Sequence, residues 1–134
     1  MTAVVFACVH NAGRSQMAAA FFNQAVDPQQ AHALSAGTEP GTAVHPEVVV
    51  VMREVGIDLS RAIPRLLTPE IAQDAAWLVT MGCGEACPLV PGVSRQDWPI
   101  PDPNGQPIAA VRQIRDDIRS RVIQFVTDYG LQRP

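Results

Sequence analysis

The chain has 134 residues, of which 47% are hydrophobic and 17% are charged, a composition typical of one globular domain with a buried core. A formal net charge of −3, without a block of consecutive basic residues, excludes the electrostatic signature of nucleic-acid or anionic-membrane binding. No apolar stretch reaches the roughly 18 residues of a membrane-spanning helix, and the first apolar run begins almost at Met1, where a signal peptide would lie. We therefore expect a single cytoplasmic domain over residues 1–134, acting as a monomer.

Short apolar runs alternate with helix-forming segments along the chain. The predicted elements are a strand at 3–8, a helix at 14–26, a strand at 32–38, a helix from Pro46 to Gly56, a short helix after Thr68, strands at 75–82 and 94–100, and a helix at 108–129. Short buried strands between amphipathic helices are typical of a sheet that helices cover on both faces. The sequence predicts an α/β fold with three layers around a four-stranded, mostly parallel sheet.

The residues with the most distinctive chemistry follow predicted strands. Cys8, Cys83 and the loop at 101–105 each come directly after one. Ligands of open α/β sheets bind at the carboxyl ends of the strands. We therefore expect these three segments to lie along one edge of the sheet.

The stretch "CVHNAGRS", residues 8–15, joins the first strand to the first helix. The backbone N–H groups of such a turn have no partner within the helix, and the helix dipole adds partial positive charge at the same place. Together they form an anion-binding turn and favour the thiolate form of Cys8. Arg14 can close over the turn, because its planar guanidinium matches two oxygens of a tetrahedral oxyanion.

Other residues of the turn have supporting roles. Gly13 permits backbone conformations that other residues avoid, Asn11 can brace the turn by bonding its own backbone, and the Ser15 hydroxyl can donate to the thiolate. The residues predicted to bind the anion are Val9, His10, Asn11, Ala12, Gly13, Arg14 and Ser15.

A thiolate placed within an anion-binding turn indicates attack on the central atom of a bound, phosphate-like oxyanion. Two other interpretations stay open: a buried Cys8 without a chemical role, and a non-catalytic oxyanion sensor or redox switch. Cys83 and Cys87 supply only half of a zinc site, and the histidines lack ligand-like spacing, so we predict no metal site.

The sequence resembles a known family. "CVHNAGRSQMA" carries the C-x5-R-S loop of the low-molecular-weight protein tyrosine phosphatase fold and is most similar to its arsenate reductase branch. The segments "SAGTEP", "MREVGIDLS", "LVTMGCGEACP" and "DWPIPDPNG" follow in the order and spacing of that branch. The resemblance covers essentially the whole chain.

The resemblance implies reduction of arsenate to arsenite for arsenic detoxification, with phosphate or sulfate as mimics of the substrate. Cys8 would form a cysteinyl–arsenate adduct, Asp102 would donate a proton, and Cys83 and Cys87 would complete a thiol–disulfide relay. It implies no bound cofactor and an external thiol reductant, either thioredoxin or mycothiol with mycoredoxin. Ala19 stands where related reductases place an acidic residue of a potassium site, so that site is not expected here.

The alternative within enzymes is a phosphatase that acts on phosphotyrosine or small phosphate esters. It would use Cys8, Arg14 and Asp102, and the two later cysteines would be incidental.

Overall fold

The computed structural model describes residues 1–83 and 87–134. The elements are β1 (Thr2–Cys8), α1 (Arg14–Ala25), β2 (Ala31–Gly37), α2 (Pro46–Arg53), α3 (Pro69–Gln73), β3 (Trp77–Thr80), β4 (Ser94–Asp97) and α4 (Ile108–Asp128). The strands form one sheet in the order β2-β1-β3-β4, and each neighbouring pair is parallel. The predicted α/β fold is confirmed. Within the described residues, no helix has the length and hydropathy needed to cross a membrane.

Local sequence signals set several helix ends. Pro46 and Pro69 occupy the first positions of α2 and α3, where a missing N–H and a fixed φ suit the helix start. The Thr68 hydroxyl caps α3 by accepting a hydrogen bond from the N–H of Ile71 at 3.2 Å. After α4 the chain turns at Gly130, whose φ is +64°.

Two strands are shorter than the sequence predicts. β3 ends at Thr80 rather than at residue 82, because Gly82 has a φ of +86° and turns the chain out of the sheet. β4 ends at Asp97 rather than at residue 100. The N–H of Trp98 still donates to the carbonyl of Thr80 at 2.8 Å, but the next residue is Pro99, which has no N–H to continue the ladder.

Alternate residues of β1, an inner strand of the sheet, face two separate hydrophobic cores. Val4, Phe6 and Cys8 lie in the larger core, which α1, α2 and α4 cover. Val5 and Ala7 lie in the smaller core, which α3 covers. The strand period of two thus produces the three layers.

A charged cluster joins the end of α2 to α4. Glu54 pairs with Arg112 and with Arg115, each at 2.8 Å, and Arg115 also donates to the carbonyl of Val51 at 2.9 Å. Hydrogen bonds from Arg112, with Arg115 adding to them, hold the pKa of Glu54 below its ordinary value of about 4.5.

Candidate active site

The turn after β1 is shaped by hydrogen bonds to its carbonyl oxygens. Backbone N–H groups of the 38–45 segment donate to four of them at 2.8–3.2 Å: Thr38 to Cys8, Glu39 to Val9, Gly41 to His10, and His45 to Ala12. The C=O and N–H of a trans peptide unit point in opposite directions, so the amides that follow these carbonyls face the interior of the turn. The result is a ring of donors at the N-terminus of α1, suited to an anion.

Gly37 permits the close contact between the turn and β2. A β-carbon at Gly37 would lie 2.6 Å from the carbonyl oxygen of Val9 and 2.9 Å from the nitrogen of Asn11. Only glycine leaves room for the backbone of β2 to approach the turn this closely.

Asn11 is fully buried and holds the turn in an unusual conformation, with a φ of +50°. Its Oδ1 accepts from the backbone N–H of Arg65 at 3.0 Å and from Nε2 of Gln16 at 3.2 Å, and its Nδ2 donates to Ser15 Oγ at 2.7 Å. The expectation that Asn11 bonds its own backbone is therefore wrong, because its side chain bonds the N–H of Arg65 and two neighbouring side chains instead. Gln16, which also donates to the carbonyl of Asn11 at 3.1 Å, is a supporting residue that sequence reasoning missed.

The hydrogen bonds of Asn11 determine the direction of the hydrogen bond between Ser15 and Cys8. Since Oδ1 of Asn11 faces the N–H of Arg65, its Nδ2 group faces Ser15 and can only donate. Ser15 Oγ accepts that bond, and its hydrogen is free for Cys8 Sγ at 2.9 Å. A hydroxyl aimed at sulfur in this way stabilises a thiolate.

The side chain of Arg14 lies beside the turn and is 8% exposed. Nη1 donates to the carbonyl of Ile100 at 3.1 Å, and Nη2 lies 3.9 Å from Oδ2 of Asp102. Arg14 is the first residue of α1. This arrangement leaves the guanidinium close to both the amide ring and the Asp102 carboxylate.

The loop that carries Asp102 rests on the turn through Pro103. A β-carbon at Gly13 would lie 2.9 Å from Cγ of Pro103. The φ of Gly13 is −150° and its ψ is −87°, which lies outside the left-handed region, and the close approach of Pro103 shows that the glycine is needed for space. Asp102 is 47% exposed, and its Oδ1 accepts from the N–H of Asn104 at 3.0 Å, which leaves Oδ2 facing the guanidinium of Arg14.

Cys83 and Cys87 form a disulfide with a Cα–Cα distance of 5.5 Å, while Cys8 is a buried free thiol. Both disulfide cysteines belong to the smaller core, whereas Cys8 belongs to the larger one. The glycine that the sequence places after Cys83 lies outside the described residues. Cys83 and Cys87 are therefore oxidised to a disulfide, whereas Cys8 is a separate, reduced thiol.

The ring of His10 is exposed, and its Nδ1 lies 2.9 Å from the carbonyl oxygen of Glu39. Its backbone belongs to the turn, but its imidazole is engaged with the neighbouring loop. In residues 1–83 and 87–134, no group of three or more histidine, cysteine or acidic side chains could hold a metal ion.

A reduced sulfur under a ring of amides, on an α/β sheet and next to an arginine, defines a class of protein that holds a tetrahedral oxyanion against a nucleophile. The family model described as low molecular weight phosphotyrosine protein phosphatase matches residues 3–133, and the chain belongs to this family.

Several relatives are known. A putative arsenate reductase of Halobacterium salinarum is 39% identical over 129 residues, which are 93% of this chain and 91% of that protein. The structure of a thioredoxin-dependent arsenate reductase of Corynebacterium glutamicum is 33% identical, with a TM-score of 0.82 over 97% of this chain; this chain spans 62% of its length. An arsenate reductase in the phosphate binding state is 30% identical, with a TM-score of 0.81 over 96% of this chain and 98% of that one.

Proposed function

We propose that this protein reduces arsenate to arsenite through a thiol–disulfide relay. The observation that carries the proposal is the coexistence of a free Cys8 thiol within the amide ring and a Cys83–Cys87 disulfide. Hydrolysis of a phosphate ester needs only the Cys8 thiol and no additional pair of thiols. Reduction of arsenate needs two electrons, which a dithiol supplies when it becomes a disulfide.

The proposed reaction has three steps. The Cys8 thiolate attacks arsenic, and one arsenate oxygen leaves as water after protonation. The Cys83 thiolate then attacks the sulfur of Cys8, and the electron pair of the sulfur–arsenic bond leaves with arsenic as arsenite. Finally the Cys87 thiolate attacks Cys83, which releases Cys8 as a thiolate and leaves a disulfide. The state described by the structure corresponds to the end of this sequence.

Other residues have distinct roles in this proposal. The turn amides and the guanidinium of Arg14 bind the charged oxygens. Ser15 stabilises the Cys8 thiolate through the 2.9 Å contact. Asp102, whose carboxylate lies 3.9 Å from Arg14 at the rim of the turn, protonates the departing oxygen.

The disulfide must be reduced by an external thiol for a second turnover. The Corynebacterium relative is described as thioredoxin-dependent, and we propose a protein dithiol of the thioredoxin type as the reductant here. Mycothiol with mycoredoxin is the competing donor. A relay that returns to the thiol form suits the reducing cytoplasm, where we place its activity.

The test is arsenite release by the purified protein with thioredoxin and its reductase, compared with mycothiol and mycoredoxin. Wild type should turn over repeatedly with one of the two systems. Cys83→Ala should release little or no arsenite, whereas Cys8→Ser should release none and still bind phosphate. Failure of wild type with both systems would contradict the proposal.

The second candidate function is phosphate-ester hydrolysis, which the contact between Arg14 and Asp102 favours. It requires neither Cys83 nor Cys87. Hydrolysis of an aryl phosphate by Cys83→Ala at the wild-type rate, with no arsenite from wild type, would identify the protein as a phosphatase.

A further inference from the structure

Arg95 donates hydrogen bonds to the main chain at Cys87, the second cysteine of the proposed Cys83–Cys87 pair. Its Nη1 donates to the carbonyl oxygen of Cys87 at 3.2 Å and, more weakly, to that of Pro88 at 3.5 Å. Its side chain is 20% exposed, so these bonds are partly shielded from water. Arg95 belongs to β4, and its side chain shares a sheet face with its register partner Leu78, which lies in the smaller core together with the disulfide.

Asp97 extends this contact to the residues that precede Cys83. Its carboxylate accepts from Nε of Arg95 at 3.1 Å and from the hydroxyl of Thr80. Thr80 is the last residue of β3 and the register partner of Asp97. The hydrogen bond from Thr80, with Arg95 adding to it, lowers the pKa of Asp97, so this carboxylate stays charged at neutral pH. Arg95 and Asp97 thus join the chain before Cys83 to the chain at Cys87.

The proposed relay requires the main chain near Cys83 and Cys87 to take more than one position. Cys83 must reach Cys8 in one step and Cys87 in the next, but here the pair lies in the smaller core and Cys8 in the larger one. A side chain that binds the Cys87 carbonyl when the disulfide is formed favours that position over the others.

We propose that Arg95 is a positioning residue of the relay, which holds the backbone at Cys87 so that the Cys83–Cys87 disulfide is favoured and its reduction potential is lowered. This inference rests on the proposed function for its biological meaning, but its chemistry concerns only the disulfide. Asp97 acts through Arg95 by fixing the direction of the guanidinium.

The experiment is a redox titration of Cys83–Cys87 in dithiothreitol buffers, with alkylation and mass spectrometry as the readout. It is performed in a Cys8→Ser background so that only this pair of thiols titrates. Each reduced dithiothreitol supplies two electrons and becomes a cyclic disulfide. Arg95→Ala should reduce the equilibrium constant for disulfide formation about tenfold, the effect of one charge-assisted hydrogen bond, which corresponds to a potential about 30 mV less negative.

Three further variants separate positioning from charge or stability. Arg95→Lys keeps the charge without the planar fork, and should have an intermediate potential. Asp97→Asn should shift the potential in the same direction as Arg95→Ala. Arg53→Ala removes an arginine of the exposed Arg53–Asp58 pair on the opposite face of the sheet, and should leave the potential unchanged.

Circular dichroism and thermal unfolding of each variant establish folding, and Arg95→Lys and Asp97→Asn carry the test if Arg95→Ala does not fold. The proposal is overturned if the folded Arg95 and Asp97 variants titrate within twofold of the parent, or if Arg53→Ala shifts the equilibrium as far as they do. Because no arsenate is used, a protein without arsenate reductase activity would still give a clear result.

Discussion

Gly82 contacts the guanidinium of Arg14 so closely that a β-carbon at position 82 would overlap with Nη1 of the arginine. Arg14 is held from another side by the carbonyl of Ile100. Cys83 follows Gly82 directly. Arg14, the proposed oxyanion-binding arginine, and the glycine directly before the first cysteine of the proposed relay are therefore packed against each other.

Gly82→Ala should weaken anion binding. The new methyl group displaces the guanidinium of Arg14, and loss of one charge-assisted hydrogen bond weakens phosphate binding by roughly 10–100-fold. Isothermal titration with phosphate measures the effect. Gly92→Ala is the matched control, because Gly92 has a φ of +83° but no atom within 4 Å of its β-carbon position. Both variants should lose about 1 kcal/mol of stability through backbone strain, and equal phosphate affinities in the two would contradict the proposed role of the contact.

Ser15→Ala should make the Cys8 sulfur less reactive. The variant removes the hydroxyl at 2.9 Å from Sγ and leaves Asn11 Nδ2 without its acceptor. Loss of a hydrogen bond to a charged group predicts alkylation by iodoacetamide about tenfold slower at neutral pH. The oxidised protein should be used, since Cys8 is then its free thiol. In the control variant Ser120→Ala, on the exposed face of α4, Cys8 should be alkylated at the wild-type rate. Alkylation of Cys8 in Ser15→Ala at the wild-type rate would show that the hydroxyl does not stabilise the thiolate.

Asp102→Asn should slow the chemical step without weakening binding. The amide oxygen can still accept from the N–H of Asn104, so the loop keeps its shape, but the side chain can no longer donate a carboxylic proton. Loss of a general acid predicts single-turnover arsenite formation about 100-fold or more slower. Phosphate affinity should be retained, and Asp117→Asn on α4 provides a charge-matched control. A wild-type rate in Asp102→Asn would exclude the proposed proton donor.

Glu54 should contribute to stability at neutral pH and lose that contribution in acid. Its pKa is lowered in the folded protein, chiefly by the hydrogen bonds from Arg112, so the unfolded state binds a proton more readily. The contribution is fully present above the unfolded pKa of about 4.5 and disappears as the pH falls through the lower folded value. Urea unfolding should find Glu54→Gln less stable than wild type at neutral pH, with the difference shrinking in acid. A difference that is constant with pH would contradict this assignment.

Features that depend on neighbouring residues in sequence were predictable. The prolines at positions 46 and 69 mark helix starts, and the continuous apolar run at 3–8 marks a strand buried on both faces. The spacing between Cys8 and Arg14 indicated an oxyanion site, because a turn from a strand into a helix presents unpaired N–H groups at the helix start, independently of distant residues. Both the family and the α/β fold could be predicted from these local patterns.

Features that depend on distant residues were not predictable from the same patterns. The partner that fixes Asn11 is the backbone N–H of Arg65, 54 residues further along the chain. The contact of Arg95 with the Cys87 carbonyl requires the β3–β4 register, which a short and mostly polar strand does not reveal. Gly13 indicated a backbone conformation that other residues avoid, but the need for space beside Pro103 appears only when the loops are packed together.

The separation of Cys8 from the disulfide affects the order in which partners can arrive. With Cys83 and Cys87 joined in a disulfide, Cys8 is a free thiol, and hydrogen bonds from the 38–45 segment hold the turn around it. In the proposed relay, a new oxyanion can therefore bind beside Cys8 before an external thiol has reduced the Cys83–Cys87 disulfide. The proposal thus makes substrate binding and reduction of the disulfide independent events, so that an oxidised molecule could hold its next substrate before it is reduced.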